Sequence, residues 1–100
     1  MKRNTETRMD ILRDVIAERE LERPGENVAV VRIGRPVRID DGEWGCSFQV
    51  QGAGSERVLT AYGYDGVQAL KLCLEMIRAE LGARQREHGL TWLEEDDLGF

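Results

Sequence analysis

The feature that most constrains this chain is a helical segment over residues 65–88 that is apolar around too much of its circumference. At about 100° per residue, Val67, Leu70, Cys73, Leu74, Ile77 and Leu81 form one stripe, and Ala69, Leu72 and Met76 widen it to about 220° of the cylinder. Gln68, Lys71, Glu75, Arg78 and Ala79 leave only a narrow strip for solvent. A single sheet face does not cover so wide an arc, so this helix needs a second covering element or an interface. Its start is marked by Asp65-Gly66-Val67-Gln68, which reads as a capping box. Its end is marked by Arg84, Arg86 and His88, suited to the negative end of the helix dipole, and by Gly89, suited to a left-handed cap.

The segments before it read as strands. Residues 28–33 are rich in β-branched side chains and are interrupted by Gly34-Arg35-Pro36, as expected near an edge or bulge. Residues 43–51 alternate cleanly, with Trp44, Cys46, Phe48 and Val50 on one face and Glu43, Gly45, Ser47, Gln49 and Gln51 on the other. That period of two predicts a sheet with one face buried and one wet. Residues 56–64 form another strand after the turn Gly52-Ala53-Gly54-Ser55, and the short connections favour antiparallel neighbours. Nearer the start, Met9, Leu12 and Ile16, joined by Ile11 and Val15, predict a short amphipathic helix over residues 5–16. Residues 17–23 read either as its continuation or as a strand ending at the turn Pro24-Gly25.

Taken together, Ile33-Gly34-Arg35-Pro36, Asp41-Gly42-Glu43-Trp44-Gly45-Cys46, Gly63-Tyr64-Asp65 with Gln68-Ala69-Leu70, and the terminal Gly99-Phe100 resemble a family of small bacterial domains of unknown function. The resemblance spans residues 16–100 and implies that residues 16–23 are a first strand, giving a four-stranded antiparallel meander followed by the long helix. It makes residues 1–14 an N-terminal extension, and it carries over no catalytic residue. The fold expected is therefore α+β: a three- to four-stranded antiparallel meander with one long helix packed on one face and a short N-terminal helix.

With 100 residues the chain is sized for one domain and can bury a core without metal or disulfide staples. Its net charge of −5 argues against general attraction to nucleic acid or to an anionic membrane, and favours a basic partner. The first fifteen residues are studded with charge, so neither a signal peptide nor a spanning helix is expected, and the cytoplasm is the default location. Cys46 and Cys73 each fall in an apolar pattern, which predicts reduced, buried thiols meeting where helix and sheet join; a buried disulfide is the alternative.

Chemistry is sparse. His88, the single histidine, sits where a helix is capped, and neither Ser47 nor Ser55 has an evident base. The sequence has no metal-ligand spacing, no phosphate loop and no dinucleotide fingerprint, so neither cofactor nor metal is expected and no catalytic residue is assigned. Arg32, Arg35 and Arg38 cluster around the Gly34-Arg35-Pro36 interruption, and Arg35 and Arg38 are candidate anion contacts; pairing with nearby acids is the plainer expectation. Trp44 and Phe48 suggest a nucleic-acid stacking platform only if they leave the face expected beneath the helix.

The remaining candidate is the C-terminal tail, where Trp92 and Phe100 flank Glu94, Glu95, Asp96 and Asp97. Two uses are open: the apolar residues pin the tail over the surplus arc of the helix, or they and the carboxylates dock a partner. The leading functional reading is a non-enzymatic acidic protein-binding module, immunity-like or inhibitor-like, of bacterial or phage origin. The alternatives are a homodimeric structural domain using the surplus helix surface, and a small ligand-binding protein with a helix–sheet pocket near Tyr62, Tyr64 and Arg35.

Overall fold

A computed structural model describes residues 12–25, 28–53 and 56–100. In chain order they form β1 (Val15–Leu21), β2 (Ala29–Gly34), β3 (Val37–Asp40), β4 (Glu43–Gln51), β5 (Leu59–Gly63) and α1 (Gly66–His88), with every strand pairing antiparallel. The α+β expectation holds. So does the meander, once β2 and β3 are recognised as one broken strand along a single edge of β4. Ile33 pairs with Phe48 and Val37 with Gly45, so residues 34–36 lie opposite only Cys46 and Ser47. One extra residue on one strand is a β-bulge, and Pro36 at that point has no N–H to give to a ladder. The strand order is thus β1, then β2 with β3, then β4, then β5.

The start of the chain differs from expectation. Val15 and Ile16 belong to strand β1, and residues 12–14 are not helical, so the helix read over residues 5–16 does not extend into this region; its earlier part, residues 5–11, lies outside the described residues. Hydrogen bonding to β2 overrides the local 3.6-residue period here, because pairing satisfies the backbone of Val15–Leu21 along its length. The first strand implied by the family resemblance is therefore present. Strand β5 is shorter than the sequence pattern suggested, covering Leu59–Gly63.

One sheet face carries the core. Cys46, Phe48 and Val50 of β4, Val31 and Ile33 of β2, Ala61 of β5 and Leu21 of β1 are buried against Ala69, Cys73, Ile77 and Leu81 of α1. Each large apolar side chain so buried contributes about 1.5–3 kcal/mol. Trp44 continues this face, half-buried beneath the first turn of the helix. Gly63 lets helix and sheet meet backbone to backbone: a Cβ there would lie 2.7 Å from Ala69 N.

Helix α1 is capped as anticipated, with one shift of register. The Asp65 carboxylate accepts from Gln68 N at 2.8 Å, while Gln68 Oε1 accepts from the amide of Tyr64 at 2.6 Å, one residue before the cap amide. Gly89 ends the helix at φ 64°, its N–H donating to Gln85 O at 2.7 Å.

The opposite sheet face is drier than the alternation implied. Gln49 is 3 % exposed and donates to Glu56 O at 2.8 Å, and Gly45 is buried among Ile39, Thr60 and Tyr62. At Gly45 strand β3 is the cause, since pairing with Val37 brings Val37 and Ile39 to a face that β4 alone makes polar; Gln49 lies further along β4, opposite Arg32 of β2, with Glu56 as its hydrogen-bond partner.

Candidate functional site

After Gly89 the chain turns back over the same face as the helix and closes its flank. Leu90 and Leu98 are buried, and Thr91 exchanges backbone hydrogen bonds with Glu22 at 2.8 and 3.1 Å, just past the end of β1. Between these anchors, the amide of Trp92 donates to Glu95 O and that of Glu95 to Trp92 O, both at 2.9 Å. The two residues between them, Leu93 and Glu94, take φ values of 52° and 68°. Two consecutive left-handed residues match the tight primed hairpin turn, which normally uses glycine or asparagine. With leucine and glutamate there, the conformation costs about 1 kcal/mol or more per residue.

Surrounding side chains hold this turn in place. Glu22 Oε1 accepts from Thr91 Oγ1 at 2.7 Å and from Glu94 N at 3.0 Å, and Gln85 Nε2 donates to Leu90 O at 3.1 Å and to Asp96 O at 2.6 Å. The amide of Gly99 donates to Asp97 Oδ1 at 2.9 Å. Glu94, Glu95, Asp96 and Asp97 are all exposed, and Leu93 at the apex is 68 % exposed.

The two aromatic residues of this segment have a partner within the chain. Arg19 is in register with Ala17 and Leu21 on the inner face of β1. Its guanidinium lies 3.7 Å from the centroid of the Trp92 ring and 5.0 Å from that of Phe100, and Nη1 donates to the carbonyls of Leu98 and Gly99, each at 3.1 Å. Of the two uses open to Trp92 and Phe100, the structure shows the pinning one: both are half-buried, and Phe100 borders a hollow with Leu74 of the helix. Arg19, Glu22 and Gln85 were not picked out by sequence reasoning. The available signal was Arg19, a charge in the inward register of its strand.

The arginine group does not converge on one point. Arg32 Nε pairs with Glu18 at 2.8 Å, Arg35 with Asp14 at 3.1 Å and Arg38 with Asp41 at 2.6 Å. Arg35 and Arg38 thus each have a carboxylate of their own. Nor do Tyr62, Tyr64 and Arg35 share a helix–sheet pocket. Tyr62 and Tyr64 both border a helix–sheet hollow with Glu43, Gln68 and Leu72, but Arg35 is not part of it; Arg35 borders, with Tyr62, a groove of about 370 Å³ on the face away from the helix. The odd–even alternation of β4 and β5 puts Tyr62 opposite Gly45, on the outer side. That groove has Ser47 and Thr60 on its floor, their hydroxyls 2.7 Å apart, and Val37, Ile39 and Tyr62 along its sides. Trp44 and Phe48 lie on the inner face, which removes the stacking platform.

These features define a class: a small antiparallel meander covered on one face by a single helix and a returning acidic tail. The chain belongs to a family described as a domain of unknown function, DUF6968, whose model matches residues 17–100. Comparison with curated proteins and with solved structures gave no match. No helix among the described residues is long and apolar enough to cross a membrane.

Proposed function

We propose that this domain is a non-enzymatic protein-binding module, of the immunity or inhibitor kind, that meets a basic protein partner through the acidic turn around Leu93. The observation that carries the reading is Leu93 itself, an apolar side chain 68 % exposed and left-handed at the apex of a turn bearing four exposed carboxylates. Solvent exposure and backbone conformation both disfavour leucine there, and burial against a partner offsets the cost. The net charge of −5 supplies long-range steering toward a basic surface. Trp92 and Phe100 serve as the internal base of this surface, and Glu94, Glu95, Asp96 and Asp97 as its contacts. The cytoplasm suits the reading, because two unpaired thiols are characteristic of a reducing compartment.

Photo-crosslinking in the source cell tests the proposal, with a photoreactive residue replacing Leu93 and, as a control, Arg78 on the exposed side of the helix. The expected result is a crosslinked protein of basic composition at position 93 only, lost when Glu94, Glu95, Asp96 and Asp97 are changed to their amides. Equal or absent labelling at the two positions overturns the reading, and a crosslink to a second copy of this chain replaces it with the homodimer.

A second reading rests on the outer groove. Its size is in the range of small-molecule sites, and its apolar walls with two hydroxyls on the floor match their usual make-up. Substitution of Thr60 by valine, scored against a small-molecule library by thermal shift, tests it; hits indifferent to the change remove the groove as their site.

A further inference from the structure

We propose that this domain pairs with a second copy of itself through the free edge of β5 and the flank of α1 beside it, joining two sheets into one and two helices into a pair. Strand β5 hydrogen-bonds to β4 without a register shift, and no other strand among the described residues takes up its outer edge. Such an edge offers a row of backbone N–H and C=O groups to another strand unless charge, proline or a bulge blunts it. At the opposite edge of the sheet β1 carries Glu18, Arg19 and Glu20, and β3 carries Arg38 and Asp40. Leu59-Thr60-Ala61-Tyr62-Gly63 of β5 has no charge, no proline and no bulge.

Helix α1 has a second apolar row on the same side. Its buried stripe of Ala69, Cys73, Ile77 and Leu81 faces the sheet, and Leu74 faces the tail. Leu72, Met76, Ala79 and Ala83 form a separate row spaced four, three and four, the spacing by which one helix packs along another. Leu72 borders the hollow beside Tyr62 and Tyr64, which puts this row on the β5 side; Met76, Ala79 and Ala83 are exposed, and the row carries no charge. Leu59 borders a hollow with Glu80 and Arg84, whereas Gly63 abuts Ala69, so α1 runs back along β5. From Gly63 to Ala61 is about 7 Å of strand, or about four to five helical residues, which sets Ala61 level with Cys73 and Leu74. A two-fold axis at Ala61 therefore passes between the levels of Leu72 and Met76, and it sets Tyr62 opposite Thr60 of the second copy, an aromatic against a β-branched side chain. Because α1 packs on both β4 and β5, its axis stands about one strand spacing from that two-fold, so the two helices come about 10 Å apart, the distance at which helices pack. The contact needs an open strand edge with an apolar helix row one strand spacing behind it, and a second copy of this chain supplies that combination.

The acidic turn lies at the β1 end of the sheet, so this contact leaves it free and is independent of the function proposed for it. Sedimentation equilibrium and amide exchange on the full chain test the inference. The expected result is a reversible dimer whose formation protects amides of residues 59–63 and makes Tm rise with protein concentration. Met76→Glu places a charge at the centre of the contact from an exposed position, and is expected to raise the dissociation constant about thirtyfold with far-UV circular dichroism unchanged. Tyr62→Lys is expected to do the same from the sheet side, while Arg78→Glu, exposed but outside the apolar row, leaves association as it is. A monomer at every concentration, a folded Met76→Glu or Tyr62→Lys variant that dimerises like the wild type, or a dimer lost on Leu93→Gly overturns the proposal.

Discussion

The guanidinium of Arg19 lies over the indole of Trp92 at 3.7 Å, joining the first strand to the last turn of a chain that separates them by most of its length. The same group holds the carbonyls of Leu98 and Gly99, so one side chain fixes both the aromatic base and the end of the tail. Gly99, at φ 84°, makes this fit, since a Cβ there would lie 2.5 Å from Arg19 Nη1 and 2.7 Å from the Trp92 ring.

Arg19→Ala is expected to cost about 2 kcal/mol, from the lost cation–π contact and the two carbonyls left without a donor. Gly99→Ala is expected to free the tail in the same way. Urea denaturation measures the cost, and a red shift of Trp92 emission with faster amide exchange over residues 90–100 reports release of the tail.

Gly63→Ala is expected to be the more damaging small-to-large change. The new Cβ would meet helix backbone, Ala69 N at 2.7 Å and Ala69 Cα at 3.0 Å, which moves only with the whole helix. A loss of about 3 kcal/mol follows from overpacking of this kind, read as a lowered Tm. Gly25→Ala, at a φ of 60° but with open space around it, is the comparison and should cost only about 1 kcal/mol.

Leu93→Gly is expected to stabilise the isolated domain by about 0.5–1 kcal/mol, because glycine accepts φ 52° without steric cost and little packing is lost from an exposed side chain. Denaturation checks the sign. A gain in stability accompanied by weaker partner crosslinking from a neighbouring position would separate the two roles of this residue.

The thiols give the domain a pH dependence of defined sign. The folded pKa of Cys73 is raised to about 12, from an ordinary thiol value of 9.0, so above pH 9 the unfolded chain sheds a proton that the folded chain keeps. Stability contributed by this group is therefore complete below pH 9 and falls as pH climbs toward 12, with a limiting slope of about 1.4 kcal/mol per pH unit. The stability difference between wild type and Cys73→Ala should accordingly shift against the wild type over that interval, as measured by urea denaturation at stepped pH.

Local rules made much of this architecture readable. The 3.6-residue period and the Asp65 and Gly89 caps fixed the helix, the alternation of β4 fixed its inner face, and Gly34-Arg35-Pro36 marked the interruption that became the bulge. The excess apolar arc is covered only in part: Phe100 of the tail closes the Leu74 side, whereas Val67 is 78 % and Met76 37 % exposed, so the expected second cover over the whole arc is not present among the described residues. Strand β3 was not legible, because four exposed residues, Val37 to Asp40, carry too short a pattern to announce a strand.

What the sequence determined by itself is therefore whatever depends on neighbours along the chain: helix limits, strand phase, caps and turns, and the burial of Cys46 and Cys73. Only the tertiary structure decided between helix and strand for residues 15–21, that Arg19 grips Trp92 and Phe100, and that Arg35 and Arg38 go to separate acids. Those outcomes turn on which distant backbone and side-chain groups satisfy one another once the chain is compact, and periodicity along the chain carries no record of such pairings.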